Sequence, residues 1–329
     1  MRLALLMVGI VMLVASGCVS NKTSDRRDLR LQATSLTGQP LYAPDIAEPQ
    51  RTKLEADLAR AQPAYDADGS EENAIWLGRR LGYLGRYREA IEIFTINLGR
   101  YPSSYKLLRH RGHRYITVRE FDLAIADLTR ASFLISDVPD EVEPDGAPNP
   151  ANIPRSTSHS NIWYHLALAH YLKGEFPRAA ECWRECMRFS KNDDMKVATA
   201  NWLYVSLRRA GKPEEAAQVL EVVKPEMEIL ENEGYLELLK MYKEGVAAKP
   251  GEIGGVFMVT AMMASLGGGA ASPTVKDITA WYGMGNWQLI NGDSVGARML
   301  FEQVVASPNW APFGYIAAEA ELARMDNAR

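Results

Sequence analysis

Gly78 and Ala90 return as Gly112 and Ala124, the same distance along the chain (112 − 78 = 34 and 124 − 90 = 34). A period of this length belongs to a helix-turn-helix unit that cannot bury its apolar face alone and stacks on copies of itself. Both pairs lie in one continuous stretch, from Leu77 to Leu128. Two helices approach closely only where the side chains between them are small. A larger residue at either place would overpack the crossing, at about 1–3 kcal/mol. The repeat therefore constrains architecture strongly and leaves the partner open.

Numbering each unit from 1 to 34, the first copy (Glu71 to Ser104) places Leu77, Gly78, Ala90, Phe94 and Pro102 at 7, 8, 20, 24 and 32. The third (Ser160 to Asp193) has Trp163, Leu166, Ala167, Gly174, Ala179 and Trp183 at 4, 7, 8, 15, 20 and 24. The sixth has Trp281, Gly285, Gly292, Ala297 and Phe301 at 4, 8, 15, 20 and 24. A weaker fourth copy (Val197 to Pro225) keeps Leu203, Gly211, Ala216 and Leu220, and Glu233 to Gly267 reads as a divergent fifth. Phe313 to Met325 reads as a terminal helix over the last apolar face, and Arg51 to Tyr65, with Leu54, Leu58 and Ala61 at helical spacing, as a first capping helix. A small residue at 8, Ala at 20, an aromatic near 24 and Pro at 32 resemble the tetratricopeptide repeat (TPR). Over Glu71 to Met325 the resemblance implies an all-α solenoid of helix-turn-helix repeats wound as a right-handed superhelix, with a concave face that binds protein or peptide.

The first 17 residues open Met1-Arg2, run apolar from Leu3 to Val14 and end Ala15-Ser16-Gly17 before Cys18. This is the layout of an export signal, too short to span a bilayer as a permanent helix. The string VASGC resembles the bacterial lipobox, which implies that Cys18 is acylated and becomes the first mature residue. Two or more acyl chains anchor a protein durably. Val19, in place of an Asp, favours an outer-membrane address facing the periplasm. From Cys18 to about Gln50 the chain is polar, with scattered Pro and Gly, and reads as a flexible tether to a solenoid over 51–329.

A formal net charge of −4 is too modest to imply a nucleic-acid partner. Cys182 and Cys186 lie four apart on one helix, where Cβ atoms seldom meet for a disulfide, and they read as core packing. No Gly-rich phosphate loop, metal quartet or nucleophile elbow is present, so no enzyme, cofactor or metal is expected; a catalytic or metal site assembled across repeats is the alternative.

Two segments break the period. Ser136 to His159, between the second and third repeats, carries five prolines and five acids (Asp137, Asp140, Glu141, Glu143, Asp145) against Arg155. Such an insertion is either functional or a spacer. Gly254 to Leu266 is apolar all round, far short of a membrane span, and reads as a buried helix.

The densest polar group is Tyr105 to Arg119, with Lys106, Arg109, Arg111, Arg114 and Arg119, two histidines and no acid. Helical spacing puts Lys106, Arg109, His110 and His113 on one face. The TPR resemblance makes that face concave and adds Arg79, Tyr83, Asn161, Tyr164, His165 and Tyr171 to the groove. Arginine forks suit carboxylates, and aromatic walls suit extended peptides, so the expected partner is a protein or peptide, acidic in one reading. A solvated basic face and a metal site at His110 and His113 are the competing readings. Arg111 stands at position 7, where other repeats have Leu, and requires a carboxylate such as Glu92 or Asp127.

Overall fold

A computed structural model describes residues 31–146, 148–247 and 273–327 of the chain. The signal, Cys18 and the apolar stretch 254–266 lie outside the described residues. A short hairpin, β1 (Leu31–Thr34) and β2 (Pro40–Tyr42), precedes helices α1 (Gln50–Ala67), α2 (Glu71–Tyr83), α3 (Tyr87–Arg100), α4 (Tyr105–Thr117), α5 (Phe121–Leu134), α6 (Ser158–Lys173) and α7 (Phe176–Phe189). These are followed by α8 (Asp193–Arg209), α9 (Pro213–Val219), α10 (Glu233–Ala247), α11 (Val275–Ile290), α12 (Ser294–Val305) and α13 (Phe313–Asn327). The helices stack in antiparallel pairs, α2/α3, α4/α5, α6/α7, α8/α9 and α11/α12, in an all-α, TPR-like array. Among the described residues no helix is long and apolar enough to cross a membrane.

Repeat chemistry explains each pair. Ser70, Ser104, Thr157, Asn192 and Thr274 cap the first helices of five pairs, each side chain accepting a backbone N–H three residues on. Positions 8 and 24 then meet at the crossing. A Cβ built on Gly78 would lie 2.3 Å from the Phe94 ring, one on Gly112 2.7 Å from Leu128, and one on Gly285 2.6 Å from Phe301. In the third pair the same positions hold Ala167 and Trp183, both fully buried. The turn between paired helices uses a left-handed residue, Gly85, Gly174, Gly211 or Gly292. In the second pair that residue is Arg119, at φ 67°.

The ends differ from the sequence expectation. Within the stretch read as a tether, residues 31–34 and 40–42 form a hairpin. β1 and β2 pair antiparallel, Ala33 opposite Leu41, and both side chains are buried. The hairpin is held by Arg88, whose Nε donates to the Gln32 carbonyl at 2.7 Å, and by Trp310, whose Nε1 donates to the Tyr42 carbonyl at 2.7 Å. Polar composition concealed it because so short a hairpin contributes only a few apolar residues to a core supplied by its neighbours. Nor is the array a simple elongated stack. α13 follows α12 but also packs on α11 and α6, and its Glu319 reaches Arg119 at the α4–α5 turn.

Candidate functional site

The predicted groove residues separate into two neighbouring cavities. The first, about 320 Å³, is lined by Arg79 and Trp76 of α2, Lys106, Arg109 and His110 of α4, and residues of the 141–144 segment. The second, about 550 Å³, holds Asn161, Tyr164 and His165 of α6 with Tyr235, Lys276 and Phe313. His113, one turn beyond His110 on α4, packs against the second, its ring 4.3 Å from that of His165 and 5.4 Å from that of Phe313. Tyr83 lies to one side, beside Arg79, whose Nη2 donates to its hydroxyl at 3.3 Å.

Tyr171 does not belong to the site. It is fully buried, with its hydroxyl 2.6 Å from that of Tyr282 and accepting from Asn286 Nδ2 at 2.5 Å. Its place in the repeat faces the next pair of helices, not the concave side. Arg111 is likewise structural, as its core position required. Its Nε and Nη2 grip both oxygens of Asp127 at 2.7 and 2.8 Å, so Asp127 and not Glu92 is the partner.

The inserted loop lies over the first cavity. Lys106 Nζ stands 2.8 Å from Glu141, and Arg109 Nη2 2.9 Å from Glu143. Asn161 Nδ2 donates to the other oxygen of Glu143 at 3.0 Å, and Tyr105 donates its hydroxyl to Glu141 at 3.1 Å. Arg79 and Arg80 donate to the carbonyls of Pro144 and Gly146, at 2.8 and 3.1 Å. The Lys106 hydrogen bond holds the Glu141 carboxyl below its ordinary range, and the same bond raises the lysine. Burial pushes Arg109 down, and Glu143 opposes that push. Its Nε is buried without a hydrogen-bond partner among the described residues.

Burial, reinforced by neighbouring arginines, drives His110, His113 and His165 well below the ordinary histidine value, so all three are neutral. The hydrogen bonds fix their tautomers, because arginine can only donate and a carbonyl only accept. Arg109 donates to His110 Nδ1 at 2.8 Å, Arg114 donates to His113 Nε2 at 2.6 Å, and His165 Nδ1–H donates to the Asn161 carbonyl at 2.6 Å. The His113 and His165 rings pack together, uncharged, against the second cavity, and His110 stacks on Phe94 beside the first. The acceptor nitrogens that a metal would need at His110 and His113 are occupied by cations. Among the described residues no group of three or more His, Cys, Asp or Glu side chains could hold a metal ion.

Sequence reasoning passed over Trp76, although it stands on the inward face of α2, stacked under Arg79 with 4.5 Å from guanidinium carbon to ring centre. Phe313 and Tyr235 carried no local signal, since the curvature of the whole array brings them in.

No protein-family model matches this sequence, and no curated protein matches it. Solved structures do resemble it. A tetratricopeptide repeat protein from Parabacteroides merdae is 14% identical with a TM-score of 0.46, covering 83% of this chain and 94% of its own. MamA from AMB-1 is 18% identical with a TM-score of 0.39, covering 52% of this chain and 88% of its own. A chain of the APC/C hetero-tetramer Cut9–Hcn1 is 14% identical with a TM-score of 0.38, covering 85% of this chain and 63% of its own.

Proposed function

We propose that this chain is a non-catalytic TPR scaffold of the bacterial cell envelope that binds an acidic peptide or protein partner on its concave basic face. The observation that carries the reading is the Glu143 carboxylate, seated between Arg109 and Asn161. A peptide carboxylate can be recognised in the same way, by a charge-assisted fork and an amide. Trp76, stacked beneath Arg79, offers the flat wall that an extended backbone packs against. Neutral histidines behind the cations leave the basic charge concentrated on Arg79, Lys106 and Arg109. In this proposal acylated Cys18 holds the scaffold on the outer membrane, facing the periplasm, through the segment before β1.

Two measurements test it. Envelope proteins captured by the full-length lipidated chain should be lost when Lys106→Glu is introduced; equal capture by both chains would rule out the groove. Metabolic labelling with a fatty acid should mark the wild type and not Cys18→Ser, and equal labelling would remove the anchor.

A further inference from the structure

The segment that covers the first cavity is built like a ligand. Glu141 to Glu143 runs extended, with Val142 bridged antiparallel to Thr157. Glu143 N donates to the Ser156 carbonyl at 3.0 Å, and Ser158 N to the Glu141 carbonyl at 2.9 Å. Alternate residues of a strand share a face, so both carboxylates turn toward α4 while Val142 points away and stays 60% exposed. Lys106 and Arg109 stand one helical turn apart and meet the two carboxylates in register. Tyr105 and Asn161 add one hydrogen bond to each carboxylate, and the grips from Arg79 and Arg80 fall on main-chain carbonyls that any peptide possesses. With Val142 left in solvent, charge and a few main-chain bonds hold the strand.

We propose that Glu141-Val142-Glu143 is an internal occupant of the basic cavity, and that the external ligand is an extended acidic peptide with carboxylates on alternate residues, which binds by displacing it. This rests on the peptide-binding reading above and adds the ligand's spacing and the competition. Both groups of a ligand pair would then contact one helix, α4, with Asn161 of α6 closing on the inner carboxylate. The loop that carries the occupant is also pinned at Asp140, which His159 holds, and at Arg155, which Asp194 holds, so displacement moves the stretch between these anchors and breaks the exposed Asn149–Glu231 hydrogen bond. Its five prolines limit the conformations it gains on release, which keeps it near the cavity and the competition strong.

The test uses the full-length lipidated chain in detergent and a fluorescein-labelled peptide with a central Glu-Val-Glu, followed by anisotropy. Glu141→Gln with Glu143→Gln removes the occupant's charge. Gly146→Ala loosens the loop without replacing any residue that lines the cavity, because a Cβ there would lie 2.1 Å from the Tyr83 hydroxyl. If the loop is displaced in about a tenth of molecules at rest, variants that free the cavity should bind the peptide up to about ten-fold more tightly than wild type. The Gln-Val-Gln peptide and a peptide with its acids three apart should bind more weakly to every chain. Hydrogen exchange on the wild type needs no variant: added peptide should speed exchange of the Glu143 and Ser158 amides. Equal affinity of all chains, with binding still abolished by Lys106→Glu, would overturn the internal occupant and leave the groove's function standing. Failure of acidic peptides to bind any chain, while a captured partner still depends on Lys106, would overturn the ligand class alone. Peptide binding unaffected by Lys106→Glu would overturn both.

Discussion

Arg119 and Glu319, 200 residues apart, form a two-pronged ion pair whose side chains are only 3% and 2% exposed, with Nη2 to Oε2 at 2.7 Å and Nε to Oε1 at 3.2 Å. Three parts of the chain converge on it. Leu36 N, from the N-terminal hairpin, donates to Glu319 at 2.6 Å, and Arg119 donates to the carbonyls of Thr117 and Trp310 at 2.5 and 3.1 Å. The pair therefore ties the second repeat, the hairpin and α13 together. It also places an arginine in the left-handed turn that glycine fills in other repeats. That conformation costs of order 1–3 kcal/mol, and it persists only where its surroundings over-determine it.

Replacing Arg119 separates these effects. Arg119→Gly should relax the turn and still destabilise, because it leaves the Glu319 carboxylate buried and unpaired. Removing one partner of a buried pair costs about 3–5 kcal/mol. The double variant Arg119→Gly with Glu319→Leu should regain most of that loss in urea denaturation. A single variant as stable as wild type would mean that the pair does not hold the ends together.

Ala124 is fully buried at the α4–α5 crossing, whereas Ala126, two residues on, is exposed. Ala124→Leu should lower the melting temperature by several degrees, from overpacking of about 1–3 kcal/mol, and Ala126→Leu should leave it within a degree or two. Equal melting of the two leucine variants would move the register of the second repeat.

The helix pairs were legible because their cause is local: small residues at 8 and 20 against a bulky one at 24, repeated along the chain. Arg111 announced its need for a carboxylate in the same way. The groove was half legible. Period alone put Lys106, Arg109, His110 and His113 on one face, whereas the inserted loop was left open between a functional segment and a spacer. Arg119 could have been singled out, since it interrupts the glycine series at position 15. Its partner could not, because nothing near Glu319 in sequence marks it. Tyr171 was misplaced for a related reason: one helix carries both groove and core residues, and only the neighbouring pair decides which side of α6 is covered. The hairpin at 31–42 escaped notice because its partners come from α3 and the chain before α13.

Burial pushes the thiols of Cys182 and Cys186 up to about 12, and Cys186 Sγ sits 3.4 Å from the Thr199 hydroxyl in the core. The thiolate is the reactive form, so both should resist alkylation in the native protein at neutral pH. Peptide mapping after brief iodoacetamide treatment should show little label at either position, and full label after denaturation. Fast native labelling of Cys186 would show that the α7–α8 contact opens readily.

His110, His113 and His165 make stability depend on pH in a window above the carboxylates. In the unfolded chain each takes up a proton as the pH falls through 6.5, the ordinary value. In the folded chain His110, His113 and His165 refuse it, first because burial penalises the imidazolium and then because Arg109 and Arg114 repel it. The unfolded state then binds more protons, and stability falls with pH. Their contribution is complete above about pH 6.5 and declines from there toward the depressed folded values. Each histidine adds a slope approaching about 1.4 kcal/mol per pH unit below that point. The urea midpoint should therefore drop clearly between about pH 7.5 and about pH 5.5, before most carboxylates begin to titrate. His113→Asn keeps an acceptor for the Arg114 guanidinium but has nothing to protonate. It should flatten the pH dependence by about a third, whatever it does to stability at the upper pH. A midpoint that stays level across the window in the wild type would mean that these rings take up protons in the folded protein.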